Sequence, residues 1–262
     1  MVKFCSLYSG SSGNSIYIGT EDTKLLIDAG VSGVKIASAL REISVRPEQI
    51  AGILITHEHS DHVKGAGIFS RKFDVPVYAR EKTWAAMRRE IGPVKEENVR
   101  IIDREYFTVG DIDVCNYSIP HDAADPVAYT FYIYNRKISV ATDVGCITEA
   151  VYENVMESDL ALIESNHDVE MLKNGRYPWP LKKRILGDRG HLSNEHAAEL
   201  AAELAQRGTR HIYLGHLSQE NNEPELALAA ARSALAECGI RTGRDVFVNV
   251  APRGCSSEVT EL

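Results

Sequence analysis

The sequence lacks the features of several specialised classes of protein. Its five cysteines are an odd number and include no CxxC pair, so neither a disulfide framework nor a thiolate zinc site is indicated. No run approaches the roughly 18 apolar residues of a membrane span. The N-terminus, MVKFCSLYSGSSGNS, lacks the apolar stretch of a signal peptide. We therefore expect a cytoplasmic protein that is not embedded in a membrane.

An excess of positive charge is also missing. The formal net charge is −8 at pH 7, which argues against a protein that binds polyanions through its net charge. A local basic surface could still bind them. With 262 residues, of which 44% are hydrophobic and 25% charged, the chain can bury a sizeable core. It contains no low-complexity linker, and we expect a single domain spanning residues 1–262.

Short apolar segments alternate between strand and helix patterns along the whole chain. SIYIGT, KLLIDAG, AGILIT and VPVYA read as strands in the first half, and VKIASALREI and EKTWAAMRREIG read as helices. AYTFYIY and KISVATD read as strands joined by a two-residue turn, Asn135-Arg136. The second half again pairs strands with helices. These patterns predict an α/β fold with two sheets packed face to face and helices outside.

The clearest chemical signal is THEHSDH, which follows the apolar strand AGILIT. His57 and His59 are two residues apart and point the same way on an extended segment, while Asp61 and His62 follow in the turn that leaves the strand. Such a segment can present ligands to two adjacent cations. The alternative is a polar loop with surface histidines.

Further groups that can bind metals follow later strands. His121 closes IDVCNYSI, Asp143 closes KISVATD and His216 closes HIYLGH. Each stands where a loop begins, which is the usual place for a site carried by a rigid sheet. Five histidines and two aspartates suit two divalent cations bound through imidazole and carboxylate. A two-metal hydrolase is the natural inference.

This ligand pattern resembles that of the metallo-β-lactamase superfamily over nearly the whole chain. The resemblance implies an αβ/βα four-layer sandwich with two mixed β-sheets packed face to face. It assigns His57, His59 and His121 to one metal, Asp61, His62 and His216 to the other, and a bridging role to Asp143. Asp28 in LLIDAG would lie behind the ligands and orient one of them.

Four further motifs narrow the resemblance to one branch. SGSSGNS, ESNHD, RGHLSN and LGHLSQENN are similar to those of YycJ/WalJ/VicX-type proteins, which are regarded as 5′-to-3′ DNA exonucleases. The resemblance implies phosphodiester cleavage with Mn²⁺ or Zn²⁺, with Fe²⁺ still open, on single- or double-stranded DNA, with RNA as another substrate to test. At 262 residues the chain has no room for the β-CASP insertion of many relatives.

Several other residues are candidates for contact with substrate. His191 and Ser193 lie in a GHLSN turn that opens a helix, where an imidazole and helix-start amides could meet a phosphate. His191 also resembles a histidine of transfer-RNA 3′-processing relatives that assists the leaving group. Asn166 and His167 follow the strand DLALIES and could contact substrate or brace the site. A structural turn histidine is the alternative for His191.

In residues 168–190 the apolar residues show no sustained periodicity, which predicts a long, functional loop. The loop has an excess of three positive charges, and it places Tyr177 and Trp179 among basic residues that include Lys182, Lys183 and Arg184. These could attract a phosphate backbone and stack a frayed base. A solvated loop with ordinary charges is the alternative.

The expected mechanism is hydrolysis by a hydroxide that two metal ions activate, with Asp61 orienting it and His191 donating a proton to the departing sugar oxygen. Two other classes of function stay open. One is a metallo-hydrolase of a small substrate, such as a cyclic phosphodiester or a thioester. The other is a nucleic-acid-binding protein with structural metals, which the full ligand set disfavours.

Overall fold

The computed structural model describes residues 1–262. Its fourteen strands are β1 (Lys3–Tyr8), β2 (Ser15–Gly19), β3 (Lys24–Ile27), β4 (Gly52–Leu54), β5 (Val77–Ala79), β6 (Val99–Ile101), β7 (Tyr106–Val109), β8 (Ile112–Ser118), β9 (Val127–Ile133), β10 (Arg136–Ala141), β11 (Leu160–Glu164), β12 (His211–Gly215), β13 (Phe247–Val250) and β14 (Thr260–Glu261). Its nine α-helices are α1 (Gly33–Glu42), α2 (Ser60–Val63), α3 (Ala66–Phe73), α4 (Glu81–Ile91), α5 (Glu149–Val155), α6 (Val169–Asn174), α7 (Trp179–Ile185), α8 (Asn194–Gln206) and α9 (Pro224–Glu237). Short 3₁₀ helices span Pro47–Gln49 and Glu96–Asn98.

The strands form two sheets of seven strands each. The first has the order β14-β1-β2-β3-β4-β5-β6, and the second has the order β13-β12-β11-β10-β9-β8-β7. Both are mixed: β3 to β6 are parallel, as are β10 to β13, whereas β1, β2 and β14 and the pairs β7–β8 and β9–β10 are antiparallel. Parallel strands need crossovers, which the helices between them supply. No helix is long and apolar enough to cross a membrane.

The chain divides into two compact units. Unit 1 comprises residues 1–116, 123–127 and 252–262. Its central strands are apolar on both faces, since Leu26 and Ile53 are wholly buried, as expected for parallel strands with covered faces. Ile36 and Leu40, one helical turn apart on α1, belong to the same core, and the Ser32 side chain caps that helix by accepting from the Lys35 amide.

Unit 2 comprises residues 117–122 and 128–251. Its parallel strands β10 to β13 bury apolar side chains such as Leu162 and Leu214. Helix α8 begins at a Ser193 cap that accepts from the His196 amide, and its buried face includes Leu200 and Leu204. The single domain expected from the sequence stays a prediction.

Two local expectations from the sequence are wrong. The predicted loop at residues 168–190 contains the helices α6 and α7. The Asp168 carboxylate caps α6 by accepting from the Met171 amide at 2.7 Å. The predicted Asn135-Arg136 turn lies one residue earlier, because Ile133 pairs with Arg136 and Tyr134 takes the positive φ of 56° that the turn needs.

Candidate functional site

Three of the residues singled out from the sequence adopt a backbone conformation that is rare outside glycine. Asp28 directly follows β3, and its φ is 60°. Asp143 and His216 follow closely after β10 and β12, with φ values of 60° and 55°. Such left-handed conformations are uncommon for residues with a Cβ and tend to occur at functional sites. The backbone at these strand ends is thus fixed in conformations that aim particular side chains.

The histidines of THEHSDH form a compact cluster in unit 1. His57 and His62 have no exposed surface, and their ring centroids lie 4.1 Å apart. Nε2 of His57 lies 3.0 Å from Nδ1 of His59. Two imidazole nitrogens this close can bind one cation jointly. The Thr56 hydroxyl lies 3.0 Å from Nδ1 of His57, so Nε2 is the nitrogen that His57 directs toward His59.

Asp28 holds this cluster from behind. Its carboxylate accepts from the Thr56 amide and from the Thr56 hydroxyl, each at 2.8 Å. Its Oδ2 atom also lies 2.7 Å from Nδ1 of His62. Burial raises the pKa of Asp28, although His62 and Thr56 counteract part of that shift. A carboxylate on one ring nitrogen fixes the tautomer, so that the other nitrogen, Nε2 of His62, keeps the lone pair that a metal ligand needs.

The glycine-serine motif SGSSGNS supports the same cluster. Asn14 is buried, and its side-chain amide lies 3.0 Å from Nε2 of His62 and 3.4 Å from Oδ2 of Asp61. Its backbone amide donates to the Asp61 carbonyl at 2.8 Å. Gly30 completes the close packing, because a Cβ there would lie 1.6 Å from that carbonyl oxygen. The motif therefore positions Asp61 and His62 within unit 1.

In unit 2, His121 lies beside Asp143. Its ring is almost wholly buried, and Nε2 lies 3.7 Å from Oδ1 of Asp143. Its Nδ1 lies 3.2 Å from the Gly190 carbonyl, which leaves Nε2 as the ligand nitrogen. Arg189 donates to the His121 carbonyl. Burial lowers the pKa of His121, which favours the neutral imidazole that metals require.

Glu164 connects two of the predicted residues of unit 2, His191 and His216. It ends β11 with no exposed surface. Its Oε1 atom lies 2.7 Å from Nδ1 of His191 and 2.9 Å from Nδ1 of His216. Oδ1 of Asp143 lies 3.3 Å from the same His216 nitrogen. The carboxylate thus sets the orientation of both imidazoles.

Glu164 lies with Asp143, His191 and His216 in a group that could hold a metal ion, but its other contacts favour an orienting role. Besides the two imidazoles, its Oε2 atom accepts from the amides of Val144 and Leu192. Four donors occupy most of the lone pairs of a carboxylate. Burial alone would raise the pKa of Glu164, but the charge and hydrogen bonds of His191 and His216 hold it well below its usual value. Burial likewise opposes protonation of His191, but Glu164 outweighs it and raises the pKa of His191.

Three further candidates from the sequence lie around this cluster. The Asn166 side chain donates to the His216 carbonyl at 2.9 Å and braces the loop that carries this histidine. Ser193 is buried and caps α8. His167 is 1% exposed, and neither of its ring nitrogens has a hydrogen-bond partner. Burial lowers the pKa of His167 to about 4.

The three basic candidates of α7 differ in their surroundings. Lys182 is 8% exposed, and its ammonium donates to the Lys173 carbonyl at 2.7 Å. Arg184 forms an ion pair with Asp122, the neighbour of His121. Lys183 is exposed. Contact of any of the three with substrate stays a prediction.

The structure groups the predicted residues in two clusters, one in each unit. Unit 1 brings together Asp28, His57, His59, Asp61 and His62, and unit 2 brings together His121, Asp143, His191 and His216. Sequence reasoning missed Asn14, Thr56 and Glu164 as supporting residues. A signal existed for two of them, since Asn14 lies within SGSSGNS and Glu164 within ESNHD. Imidazole and carboxylate are the donors that divalent cations such as Zn²⁺ and Mn²⁺ accept.

Comparison with known proteins gives consistent matches over most of the chain. Residues 23–217 match the model of the Beta-lactamase superfamily domain. Exodeoxyribonuclease YycJ of Bacillus anthracis is 45% identical over 243 residues, which cover 92% of each chain. Exodeoxyribonuclease WalJ of Streptococcus pneumoniae is 44% identical over an alignment that covers 99% of this chain and 98% of WalJ. The branch resemblance inferred from the four motifs is confirmed.

A solved structure supports the fold. The metallo-β-lactamase fold protein YhfI from Bacillus subtilis matches with a TM-score of 0.72 at 14% identity, over 98% of both chains. At that identity the match concerns the fold alone. The predicted metallo-β-lactamase-like α/β fold class is confirmed, and the fold together with the histidine and aspartate clusters supports binding of divalent metal.

Proposed function

Because the chain belongs to the β-lactamase superfamily, we propose that it is a metal-dependent exodeoxyribonuclease that removes nucleotides from the 5′ end of DNA. The observation that carries this proposal is the identity of 44–45% to two exodeoxyribonucleases over nearly the whole chain. The two ligand clusters support metal-dependent hydrolysis, since both contain imidazole and carboxylate donors with orienting partners. The 5′-to-3′ polarity, the preferred strand state and a cytoplasmic location belong to the proposal.

We assign the metal ligands as the sequence predicts them. His57, His59 and His121 would hold one cation and Asp61, His62 and His216 the other, with Asp143 shared between them. The Nε2 atoms of His62 and His121 fit this assignment, because their Nδ1 atoms already contact Asp28 and the Gly190 carbonyl. Mn²⁺ and Zn²⁺ are the metals to test first, followed by Fe²⁺.

When bound, two divalent cations lower the pKa of water and neutralise charge that builds on the phosphate oxygens. The side chains of the protein supply the other groups that the reaction needs. Asp61, which Asn14 positions, orients the attacking water. His191, whose protonated form Glu164 stabilises, donates a proton to the departing sugar oxygen. Asp28 and Glu164 keep the ligand imidazoles in one tautomer.

The deciding experiment uses DNA labelled at the 5′ or the 3′ end, in single- and double-stranded form, with RNA in parallel. Metal-stripped protein is resupplied with Mn²⁺, Zn²⁺ or Fe²⁺, and Asp61→Ala is the inactive comparison. We expect stepwise release from the 5′ end that requires both the metal and Asp61. The relative rates on the substrates identify the preferred strand state.

Two outcomes would overturn the proposal at different levels. Release from the 3′ end would contradict the polarity but keep the exonuclease. Intact DNA and RNA under every metal, together with hydrolysis of a cyclic phosphodiester or a thioester, would replace the nuclease by a metallo-hydrolase of small substrates.

A further inference from the structure

A cavity of about 400 Å³ lies within unit 2 beside the cluster around Glu164. One wall is a single face of α8, formed by Glu199, Leu200 and Glu203 at helical spacing. The opposite walls come from the segment after β10, which includes Cys146, and from the segment after β11, which includes His167. This volume falls within the roughly 300–1,000 Å³ of small-molecule sites.

His191 belongs to both the cavity and the cluster around Glu164. Its ring lines the cavity, and its Nδ1 atom lies 2.7 Å from Glu164 and 3.9 Å from Asp143. Leu192 and Ser193, which follow it, also line the cavity. A group that enters the cavity therefore lies directly beside the residue that we propose as the proton donor.

The walls select against an anion. Asp188, Glu199 and Glu203 contribute exposed carboxylates, and no lysine or arginine lines the cavity. A phosphate would meet this negative charge, and the only groups of the lining that can carry positive charge near neutral pH are the imidazoles of His191 and His196. The walls instead favour a group that is uncharged and that offers hydrogen-bond donors to the carboxylates.

Part of the cavity lining is apolar, and the lining also contains one buried polar group that has no hydrogen-bond partner. Leu192 and Leu200 are buried there, and Tyr152 adds an aromatic ring. His167 also lines the cavity, is 1% exposed, and has no hydrogen-bond partner at either ring nitrogen. Buried polar atoms in native proteins nearly always have partners, so an unpartnered imidazole in a cavity wall points to a ligand that completes it.

We propose that this cavity holds the base of the 5′-terminal nucleotide while its sugar oxygen leaves. A nucleobase is flat and neutral, has apolar faces, and carries donors and acceptors on its edge, which matches Tyr152, the leucines, His167 and the carboxylates. This inference rests on the proposed function. Hydrolysis breaks the bond between phosphorus and O3′ of the terminal nucleotide, the water oxygen bonds to phosphorus, and O3′ takes a proton from His191.

The assignment has two consequences for substrate choice. A base must leave its stack to enter the cavity, which is easiest for a terminal, unpaired nucleotide. The carboxylates of Glu199 and Glu203 accept from exocyclic amino groups, which adenine, cytosine and guanine carry and thymine does not. Terminal thymidine is therefore expected to be the slowest nucleotide to be released.

The experiment uses two matched leucine substitutions. Leu186 lines the cavity and is 39% exposed, whereas Leu226 is 38% exposed on α9 and does not line it. Leu186→Trp fills the cavity mouth, and Leu226→Trp adds the same side chain elsewhere. Circular dichroism and thermal melting verify that both variants fold. Deoxycytidine, deoxyadenosine, thymidine and inorganic phosphate are then titrated into protein loaded with Zn²⁺ and followed by NMR.

We expect the wild type and Leu226→Trp to bind deoxycytidine and deoxyadenosine, and Leu186→Trp to lose about tenfold or more in affinity, the size of one lost base-stacking contact. In the cleavage assay, single-stranded DNA with an abasic 5′-terminal nucleotide is compared with the same strand carrying cytosine. The wild type is expected to release the abasic residue at least about tenfold more slowly, and Leu186→Trp is expected to lose this discrimination.

The outcomes separate the inference from the proposed function. Cleavage that is equally fast with and without the terminal base, or equal nucleoside binding by the two tryptophan variants, overturns the base-binding cavity. Phosphate binding that Leu186→Trp alone abolishes also overturns it. A wild type that binds nucleosides but cleaves no DNA retains a nucleoside site and overturns the exonuclease. Glu199→Gln, with the exposed Glu195→Gln on the same helix as its control, tests the amino-group preference.

Discussion

Nδ1 of His191 lies 2.7 Å from Oε1 of Glu164, a carboxylate with no exposed surface. The pair is held by its surroundings, since the Val144 amide donates to the other carboxylate oxygen at 2.7 Å. Because Glu164 stays ionised, it favours the imidazolium form of His191 and raises the pKa of that ring. A histidine that keeps its proton to higher pH is suited to act as a general acid.

Glu164→Gln is expected to move the alkaline limb of the pH profile of kcat/KM to lower pH. An activity that needs protonated His191 falls as the pH rises through its pKa. Glutamine removes the negative charge that raises this pKa, so the fall begins at lower pH. The maximal rate is expected to decrease about 100-fold, within the range of general acid catalysis. Initial rates of DNA cleavage over a series of buffers measure both effects.

Glu225→Gln is the matched control, because Glu225 is exposed on α9 of the same unit. It is expected to leave the profile unchanged. An alkaline limb that stays in place in Glu164→Gln would show that another group sets it, and the proton-donor role of His191 would then be wrong.

Asp28→Asn is expected to weaken metal binding about 10- to 100-fold, as for other outer partners of ligand histidines. The native carboxylate accepts from both the amide and the hydroxyl of Thr56 and from His62. An asparagine side chain has one acceptor oxygen, and its NH₂ group would face a donor. The His62 ring is then free to adopt the wrong tautomer.

Equilibrium dialysis against Mn²⁺ or Zn²⁺ measures this loss directly, without reliance on activity. Asp22→Asn serves as the control, since Asp22 is exposed in unit 1. Equal affinities for Asp28→Asn and the wild type would mean that His62 is either oriented by Thr56 alone or is not a ligand.

Gly30→Ala is expected to lower the free energy of unfolding by about 3 kcal/mol, the upper range for overpacked sites. A Cβ at Gly30 would lie 1.6 Å from the Asp61 carbonyl oxygen and 2.7 Å from the Asn14 nitrogen. The backbone around Asp61 must move, so we also expect a loss of metal affinity. Denaturant unfolding and metal dialysis test the two effects.

Gly254→Ala is the comparison, because nothing lies within 4 Å of a Cβ at Gly254. A surface change of this kind is expected to stay within about 0.5 kcal/mol. If Gly30→Ala matches it in stability, the close packing of the SGSSGNS motif against THEHSDH does not fix the position of Asp61.

The sequence predicted the residues whose signal is local. His57, His59, Asp61 and His62 lie in one seven-residue motif, THEHSDH, in which His57 and His59 follow the strand β4 and Asp61 and His62 lie on the short helix α2. Helix α8 was equally predictable from the sequence, since its apolar residues recur at helical spacing and Ser193 lies at its start. Patterns of this kind depend on neighbours along the chain, which a single sequence displays.

The supporting residues were not predictable in the same way. Glu164 is a single glutamate at the end of an apolar strand, and its role depends on His191 and His216, which are 27 and 52 residues away. Helices α6 and α7 were missed because the shorter of them has six residues, too few to show a period. The Asp168 cap, rather than periodicity, marks the start of α6, and α7 begins after Pro178 without a side-chain cap.

Lys182 and Lys183 were predicted together as substrate contacts, and their different surroundings predict different effects of alanine. Lys182→Ala removes, from a buried lysine, the ammonium that donates to the Lys173 carbonyl at 2.7 Å, so we expect the free energy of unfolding to fall by about 1.5–3 kcal/mol.

Lys183 is exposed, and Lys183→Ala is expected to leave stability unchanged. It should weaken DNA binding and reduce the slope of log affinity against log salt by about one. Fluorescence anisotropy at several salt concentrations, with Asp61→Ala as background to prevent cleavage, measures the slope. An unchanged slope in Lys183→Ala would exclude this residue from the DNA path, whereas a reduced slope in Lys182→Ala would show that its ammonium exchanges the Lys173 carbonyl for a phosphate.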